Sequence, residues 1–563
     1  MTITRTRLKV RVGYSLLLAL IIGDEKTFVN GLTVIDGILL FSAGSAVSAG
    51  LAVKRRANRG CGGIIAARIV FGNNRAIKFI DKTGARDYNH LHKEKRFGGW
   101  FRRDFKRCDM KEYERTNVYE VADEKLMGEI FDFAEGYKKF LDESKTEREA
   151  CSVLVAKAIE NGYEPLRFGM KYAAGDKLYY NNRGKNLFLI KIGTNDLSEH
   201  GIRIVASHID NPRLDLKQVP FYEKADIAFA KTHYYGGIRK YQWTAIPLAL
   251  HGVIALKDGS VKTVRIGEDE SDPVFYVSDL LPHLAAKQNA KTLSEAIAGE
   301  DLNIWMGNIP YGEKDDDKTV KKNLLKILEE KYGVEEEDFL SAELSVVPAF
   351  KAKDIGFDRA LVGAYGHDDR VCSYAAQAAA FDEECCENTS ITALVDKEEI
   401  GSEGNTGMQC ILFSDIIDDI CRSFGVSPAA VRSKSMCLSA DVNACYDPNF
   451  PEVSEKNNST LLSCGAGITK FTGARGKSGS NDASAEFLAF VRKLFDDNGV
   501  IWQTGELGKV DCGGGGTIAK YVAKLNIDTV DIGVPVVSMH SPFEVVSKAD
   551  LYENYLAFRA FIK

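Results

Sequence analysis

Four apolar, β-prone runs in this chain each end abruptly at a side chain that binds metals. Ile202 to Ser207 ends at His208, and Ile391 to Val395 leads to Glu398 and Glu399. Ser435 to Ala440 ends at Asp441, and Val534 to Met539 ends at His540. Near-continuous apolar runs read as strands buried on both faces. Helix-period segments stand between or after them, at 373–384, 414–424, 482–497 and 549–562. That alternation predicts an α/β sheet covered by helices. Functional groups of such a sheet collect beyond the carboxyl ends of its strands. A fifth group, Asp368-Asp369-Arg370, stands just before the helix that starts near Ser373. Singly, each position has an ordinary explanation: a satisfied core histidine, a turn-forming or helix-capping aspartate, a solvated loop tip. Together they point to one crevice.

Histidine mixed with Asp and Glu suits zinc or another borderline divalent ion better than calcium, which prefers oxygen alone. Two histidines and three carboxylates suffice for two ions if one carboxylate bridges, and paired ions activate a water and polarise a carbonyl together. Such a site needs a general base that is not itself a ligand. The doubled Glu398-Glu399 supplies one of each, provided that the chain turns sharply, since neighbours on an extended strand face opposite ways. Gly401 permits that turn. Asp210, two residues beyond His208, returns to the same face and is placed to accept a hydrogen bond from the imidazole.

The length of 563 residues predicts two or three domains. A net charge of -6 argues against nucleic acid as the main partner. The twelve cysteines show no paired C-x-x-C spacing, so they read as reduced thiols of a cytoplasmic protein. Charge is uneven: residues 1–109 hold 21 Lys+Arg against 8 Asp+Glu, leaving 52 against 71 for the rest. Residues 1–109 therefore read as a separate basic extension, poorly ordered or translated upstream of a start at Met110. Tyr14 to Ile22 loosely imitates a signal peptide. Leu32 to Val53 has the length to cross a bilayer, but Asp36, serines and glycines interrupt it, so a membrane anchor is the weaker reading. Residues 110–212 and 353–563 read as two parts of one domain. Between them, 213–352 read as an inserted, mainly β domain with short strands such as 263–266 and 274–277.

Five ordered motifs carry a resemblance. These are Ser207-His208-Ile209-Asp210-Asn211-Pro212, Gly366-His367-Asp368-Asp369-Arg370, Asp396-Lys397-Glu398-Glu399-Ile400-Gly401-Ser402, Ser439-Ala440-Asp441 and Met539-His540-Ser541. In this order they resemble the M18 metallo-aminopeptidases, the aspartyl aminopeptidase and vacuolar aminopeptidase I group, over residues 110–563. The resemblance implies a zinc-exopeptidase-like α/β/α catalytic domain carrying an inserted β-rich dimerisation domain. It also implies two divalent ions, zinc ahead of cobalt or manganese. His208, Asp368 and Asp441 would hold one, and Asp368, Glu399 and His540 the other, with Glu398 as base toward a metal-bridging water. It further implies a homododecamer, with His283 reaching a neighbour's active site and Lys470 facing an acidic substrate side chain. By composition alone, His283 and Lys470 are unremarkable.

The expected activity is removal of an acidic or neutral N-terminal residue from peptides. The alternatives are another two-metal amidohydrolase (a deacylase or carboxypeptidase) and an inactive scaffold. Gly473 to Ser480 imitates a phosphate loop, but its spacing fails the pattern. Residues 511–517 are either a tight turn or a row of amides facing a substrate.

Overall fold

The computed structural model describes residues 113–313, 317–382 and 387–563, with the backbone of six short strands between residues 32 and 86. The chain divides into two units, Met1–Glu112 and Tyr113–Lys563. In the first, Leu32–Ile35, Ile38–Phe41, Leu51–Val53, Ile65–Phe71, Asn74–Asp81 and Gly84–Arg86 pair in sequence order as an antiparallel meander. The stretch considered as a bilayer span therefore holds three strands. The signal-like run 14–22 and Met110 lie outside the described residues. No helix among the described residues is long and apolar enough to cross a membrane.

After one helical turn at Val118–Val121, the second unit builds α1 (Glu124–Glu143) and α2 (Glu147–Glu160). The Asp123 carboxylate accepts the Leu126 amide at 2.8 Å and starts α1. Thr146 and Glu149 form a reciprocal capping box that starts α2. Three strands follow: β1 (Lys177–Asn182), β2 (Asn186–Lys191) and β3 (Ile202–His208).

The chain then leaves this sheet to build another. β4 (Arg213–Lys224), β5 (Ile227–Tyr235), β6 (Leu248–Ala255), β7 (Val261–Ile266), β8 (Ile304–Gly307) and β9 (Ala342–Pro348) form a six-stranded antiparallel sheet in the order β7-β6-β9-β4-β5-β8. It has its own core, including Leu214, Trp243, Leu302, Phe339 and Val346. The run 274–277 is not a full strand. Only Phe275 bridges to Leu248, and Pro273, which has no N–H to donate, precedes the run. Helix α3 (Thr319–Ile327) continues into one π turn, Leu328–Tyr332.

The first sheet then resumes with α4 (His367–Asp382), β10 (Thr389–Val395), α5 (Leu412–Phe424), β11 (Met436–Ala440), β12 (Ala466–Thr469), α6 (Ala485–Asp497), β13 (Trp502–Thr504) and β14 (Asp528–Gly533). Its order is β13-β12-β14-β11-β3-β10-β2-β1, with Glu164–Pro165 at the edge. The four central strands β14, β11, β3 and β10 run parallel. Alternate side chains feed opposite cores. Leu189, Val205, Leu394 and Leu438 pack toward α1, α2, α4 and α6, while Ile190, Ile204, Ile391 and Cys437 pack toward α5. The period of two with both faces covered explains why these strands read as unbroken apolar runs.

The apolar run that ends at His540 is a separate short strand and not a continuation of the one before it. β14 stops at Gly533, and β15 (Pro535–Val537) joins a five-stranded sheet with β16 (Glu544–Ser547), ahead of the closing helix α7 (Lys548–Ile562). Gly533 presses on the Asp441 carbonyl, where an added Cβ would lie 1.7 Å from the oxygen, and Pro535 cannot donate to the old ladder.

A buried charged cluster joins the six-stranded sheet to α2. His251 on β6 contacts Glu149 at 2.8 Å and Glu268 at 3.1 Å, and Lys145 contacts Glu268 at 2.9 Å. Burial alone would lower the His251 pKa, but the two carboxylates hold it above its ordinary value. Burial would raise that of Glu268, but His251 and Lys145 draw it down to about 2. The Glu268 contribution to stability is present above its unfolded value, about 4.3, and is lost as pH falls toward 2. The His251 contribution is present below about 6.5 and is lost as pH rises through its elevated folded value. A double-mutant cycle on His251 and Glu268 by chemical denaturation is therefore expected to give a larger coupling at pH 6 than at pH 10. The His251→Ala change alone is expected to cost about 3 kcal/mol at pH 6. A coupling independent of pH would contradict this assignment.

Candidate metal centre

The register of the four parallel strands brings their carboxyl ends level: His208 pairs with Val395, Ser439 with Ala206, and Ala440 with Ile532. Beyond β10 the chain reverses. Lys397 takes φ 69°, Glu398–Ile400 forms one 3-10 turn, and Gly401 takes φ 99°. This is the sharp turn that adjacent carboxylates need in order to serve one site. Asp368 arrives from the start of α4. Gly366 ahead of it has φ 81°, and a Cβ there would lie 2.1 Å from Arg370 Nη1. His540 sits past β15 on a backbone with φ 64°.

These elements gather five side chains. His208 Nε2 lies 3.1 Å from Asp368 Oδ1 and 3.8 Å from Asp441 Oδ1. His540 Nε2 lies 3.0 Å from Asp368 Oδ2 and 3.5 Å from Glu399 Oε1. Among the described residues, two groups have ligand atoms all within 4.8 Å of one another: His208, Asp368 and Asp441, and Asp368, Glu399 and His540. Asp368 belongs to both and turns one oxygen to each histidine.

The surroundings fit a positive charge. Asp368 Oδ1 and Glu399 Oε1 are buried with no hydrogen-bond donor. Unpartnered buried carboxylate oxygens are costly, and a cation between them removes the cost. Burial, with crowding by Asp441, pushes the Glu398 carboxyl up to about 8, and Glu399 is raised by burial and Asp368. Burial would lower His540, but Glu399 and Asp368 hold it at about 11. Imidazole and carboxylate in this mixture fit zinc-like cations.

Asp210 holds the arrangement from behind. Its backbone carbonyl accepts His208 Nδ1–H at 3.0 Å with its carboxylate 3.2 Å from the same nitrogen, and that carboxylate accepts the amides of Glu398 at 3.1 Å and Glu399 at 3.2 Å. His283 and Lys470 stand apart from this group. His283 is exposed on the turn Pro282–Leu284. Lys470 pairs with Asp482, which also takes Lys477 at 2.9 Å. The antiparallel register Gly467 with Gly533 and Thr469 with Asp531 carries Lys470 away from the edge where the ligands sit. Gly514–Gly515 pairs with Gly473–Ala474, which gives the 511–517 stretch a structural turn.

Sequence reasoning missed Glu544, Tyr235 and Gly237. Buried Glu544 accepts the Asp368 amide at 3.2 Å and the His540 amide at 2.6 Å, joining both histidine groups. A carboxylate opening the apolar strand β16 was the available signal. The Tyr235 hydroxyl donates to Asp210 at 2.8 Å, and the Gly237 carbonyl accepts His540 Nδ1–H at 2.9 Å.

Comparison with known proteins identifies the family. A family model described as Aminopeptidase I zinc metalloprotease (M18) matches residues 140–562. Over 461 residues the chain is 48% identical to the probable M18 family aminopeptidase 1 of Clostridium acetobutylicum, covering 80% of this chain and 98% of that one. The crystal structure of an M18-family aminopeptidase from Thermotoga maritima matches with a TM-score of 0.76 at 42% identity, over 80% of this chain and 100% of that one. The mApe1 dodecamer of S. cerevisiae shares the fold at 24% identity, with a TM-score of 0.62 over 76% of this chain and 96% of that one.

Proposed function

Since this chain belongs to the M18 family of zinc metallo-aminopeptidases, we propose that it removes one N-terminal residue from peptides at a centre for two zinc ions. His208, Asp368 and Asp441 hold one ion, and Asp368, Glu399 and His540 hold the other. The observation that carries this reading is the Asp368 carboxylate, shared between two histidine-containing groups. When bound, the ions polarise the scissile carbonyl and acidify a water.

The rest falls to the chain. Glu398, spared from ligation, takes a proton from the attacking water and returns it to the leaving amine. Asp210 fixes the His208 ring and, through two amides, the turn that carries Glu398 and Glu399. Between the two substrate preferences, the Lys470–Asp482 pair favours a neutral N-terminal residue, because the lysine charge is already answered.

The six-stranded sheet acts as the self-association domain, with residues 213–352 inserted between catalytic parts 110–212 and 353–563. Val274, Tyr276, Leu281 and Leu284 are all at least 40% exposed, an apolar surface that supports burial against a second copy. His283 lies within it and serves the neighbour's active site. The dodecamer formed by the S. cerevisiae relative is the assembly proposed for this chain. The free cysteines Cys151, Cys372, Cys421 and Cys437 support a cytoplasmic location.

A panel of aminoacyl amides, assayed after zinc reconstitution, tests the activity. Leucyl amide is expected to be cleaved faster than aspartyl amide, and N-acetylated amides are expected to resist. Faster cleavage of aspartyl amide would return Lys470 to the substrate. Cleavage of the acetylated compounds would contradict aminopeptidase action.

A further inference from the structure

We infer that Tyr235-Gly236-Gly237, the end of β5 in the six-stranded sheet, is a positioning element for the metal centre, acting through the Tyr235 hydroxyl on Asp210 and the Gly237 carbonyl on His540. The inference rests on the metal-centre reading above and extends it to residues outside the first sheet.

A carboxylate offers about four acceptor positions. At Asp210, the Glu398 amide donates to Oδ1, and the Glu399 amide and the Tyr235 hydroxyl, the latter at 2.8 Å, donate to Oδ2, while His208 Nδ1 lies 3.0 Å from the Asp210 carbonyl and 3.2 Å from Oδ1. Without that hydroxyl Oδ2 keeps only the Glu399 amide, and the carboxylate that anchors the turn and faces His208 is held less firmly. The Tyr235 ring is itself held. Arg213, its cross-strand partner, lies 3.9 Å from the ring centroid and is fixed by Glu147 at 3.2 Å and Asp215 at 2.8 Å.

The two glycines complete the contact. Gly237 accepts the Nδ1–H of His540, which selects the tautomer whose Nε2 lone pair faces Asp368 and Glu399. Gly236 has φ 75°, and a Cβ there would stand 3.1 Å from Glu399 Oε2. Only glycine passes there without strain. Three residues at and just past the end of β5 thus reach Asp210, Glu399 and His540, while the ligands themselves come from the ends of β3, β10, β11 and β15 and from the start of α4.

The test uses the full chain loaded with Zn2+ or Co2+. For Tyr235→Phe, zinc affinity measured by chelator competition is expected to weaken about 10- to 100-fold. The visible spectrum of the Co2+ form is expected to shift. At saturating zinc, kcat is expected to fall over the same range while KM stays within about threefold. For Gly236→Ala, one of the two zinc equivalents is expected to weaken and the other to bind as in the parent. Parent-like zinc affinity and Co2+ spectrum in Tyr235→Phe would overturn the inference, whatever happens to its melting temperature. So would two parent-like equivalents in Gly236→Ala. A parent chain that binds no zinc and cleaves no aminoacyl amide would instead defeat the reading of the site itself.

Discussion

Replacing Glu398 with Gln is expected to lower kcat by about 10²- to 10⁴-fold while leaving zinc content and KM near the parent values. The change removes the proton-accepting oxygen and nearly preserves shape. The backbone amide of residue 398, which donates to Asp210 at 3.1 Å, is untouched, so the turn keeps its anchor. No proposed ligand is lost, because Glu399 carries the coordination. The loss corresponds to about 3–5.5 kcal/mol of barrier, at 1.36 kcal/mol per tenfold. The environment suits this role. Burial and Asp441 push the carboxyl up to about 8 without cations, and positive charge brought beside it draws the value back toward the working pH. A variant that keeps more than a tenth of parental kcat would remove Glu398 from the role of base. A variant that loses zinc would make it a ligand.

The second large effect concerns Asp368. Replacing it with Ala is expected to abolish turnover and to uncouple stability from zinc. In the parent, free zinc at about 1,000 times its dissociation constant adds about 4.1 kcal/mol per site, and chelation removes it. Asp368 is the residue common to both groups, so its loss leaves each with two ligands. Chelation should then change the denaturation midpoint of Asp368→Ala by less than about 1 kcal/mol in equivalent stability. A variant still strongly stabilised by zinc would show that the two groups do not share this residue.

What the sequence makes legible follows from how locally each feature is encoded. The strands ending at His208, Val395 and Ala440 stood out because burial on both faces demands unbroken apolar runs, and the polar residue that ends each run marks the carboxyl edge. Gly401 is informative for the same local reason, since only a turn with positive φ lets Glu398 and Glu399 act at one place. Tyr235 and Gly237 were hidden because their partners lie 25 and 303 residues away. A Tyr-Gly-Gly strand end looks alike whether it meets solvent or a histidine. Glu544 was hidden because nothing local reports the two amides that it accepts. The break between β14 and β15 depends on Gly533 meeting the Asp441 carbonyl, another distant contact. Phe275 shows the limit in the other direction: an apolar, β-prone run finds only one pairing where a proline precedes it.

The most direct measurement is the number of zinc ions retained per chain after desalting, determined on the parent and on Asp368→Ala. Two in the parent and none held tightly in the variant is the predicted result. One ion in the parent, or two surviving in the variant, would contradict a centre built on a shared aspartate.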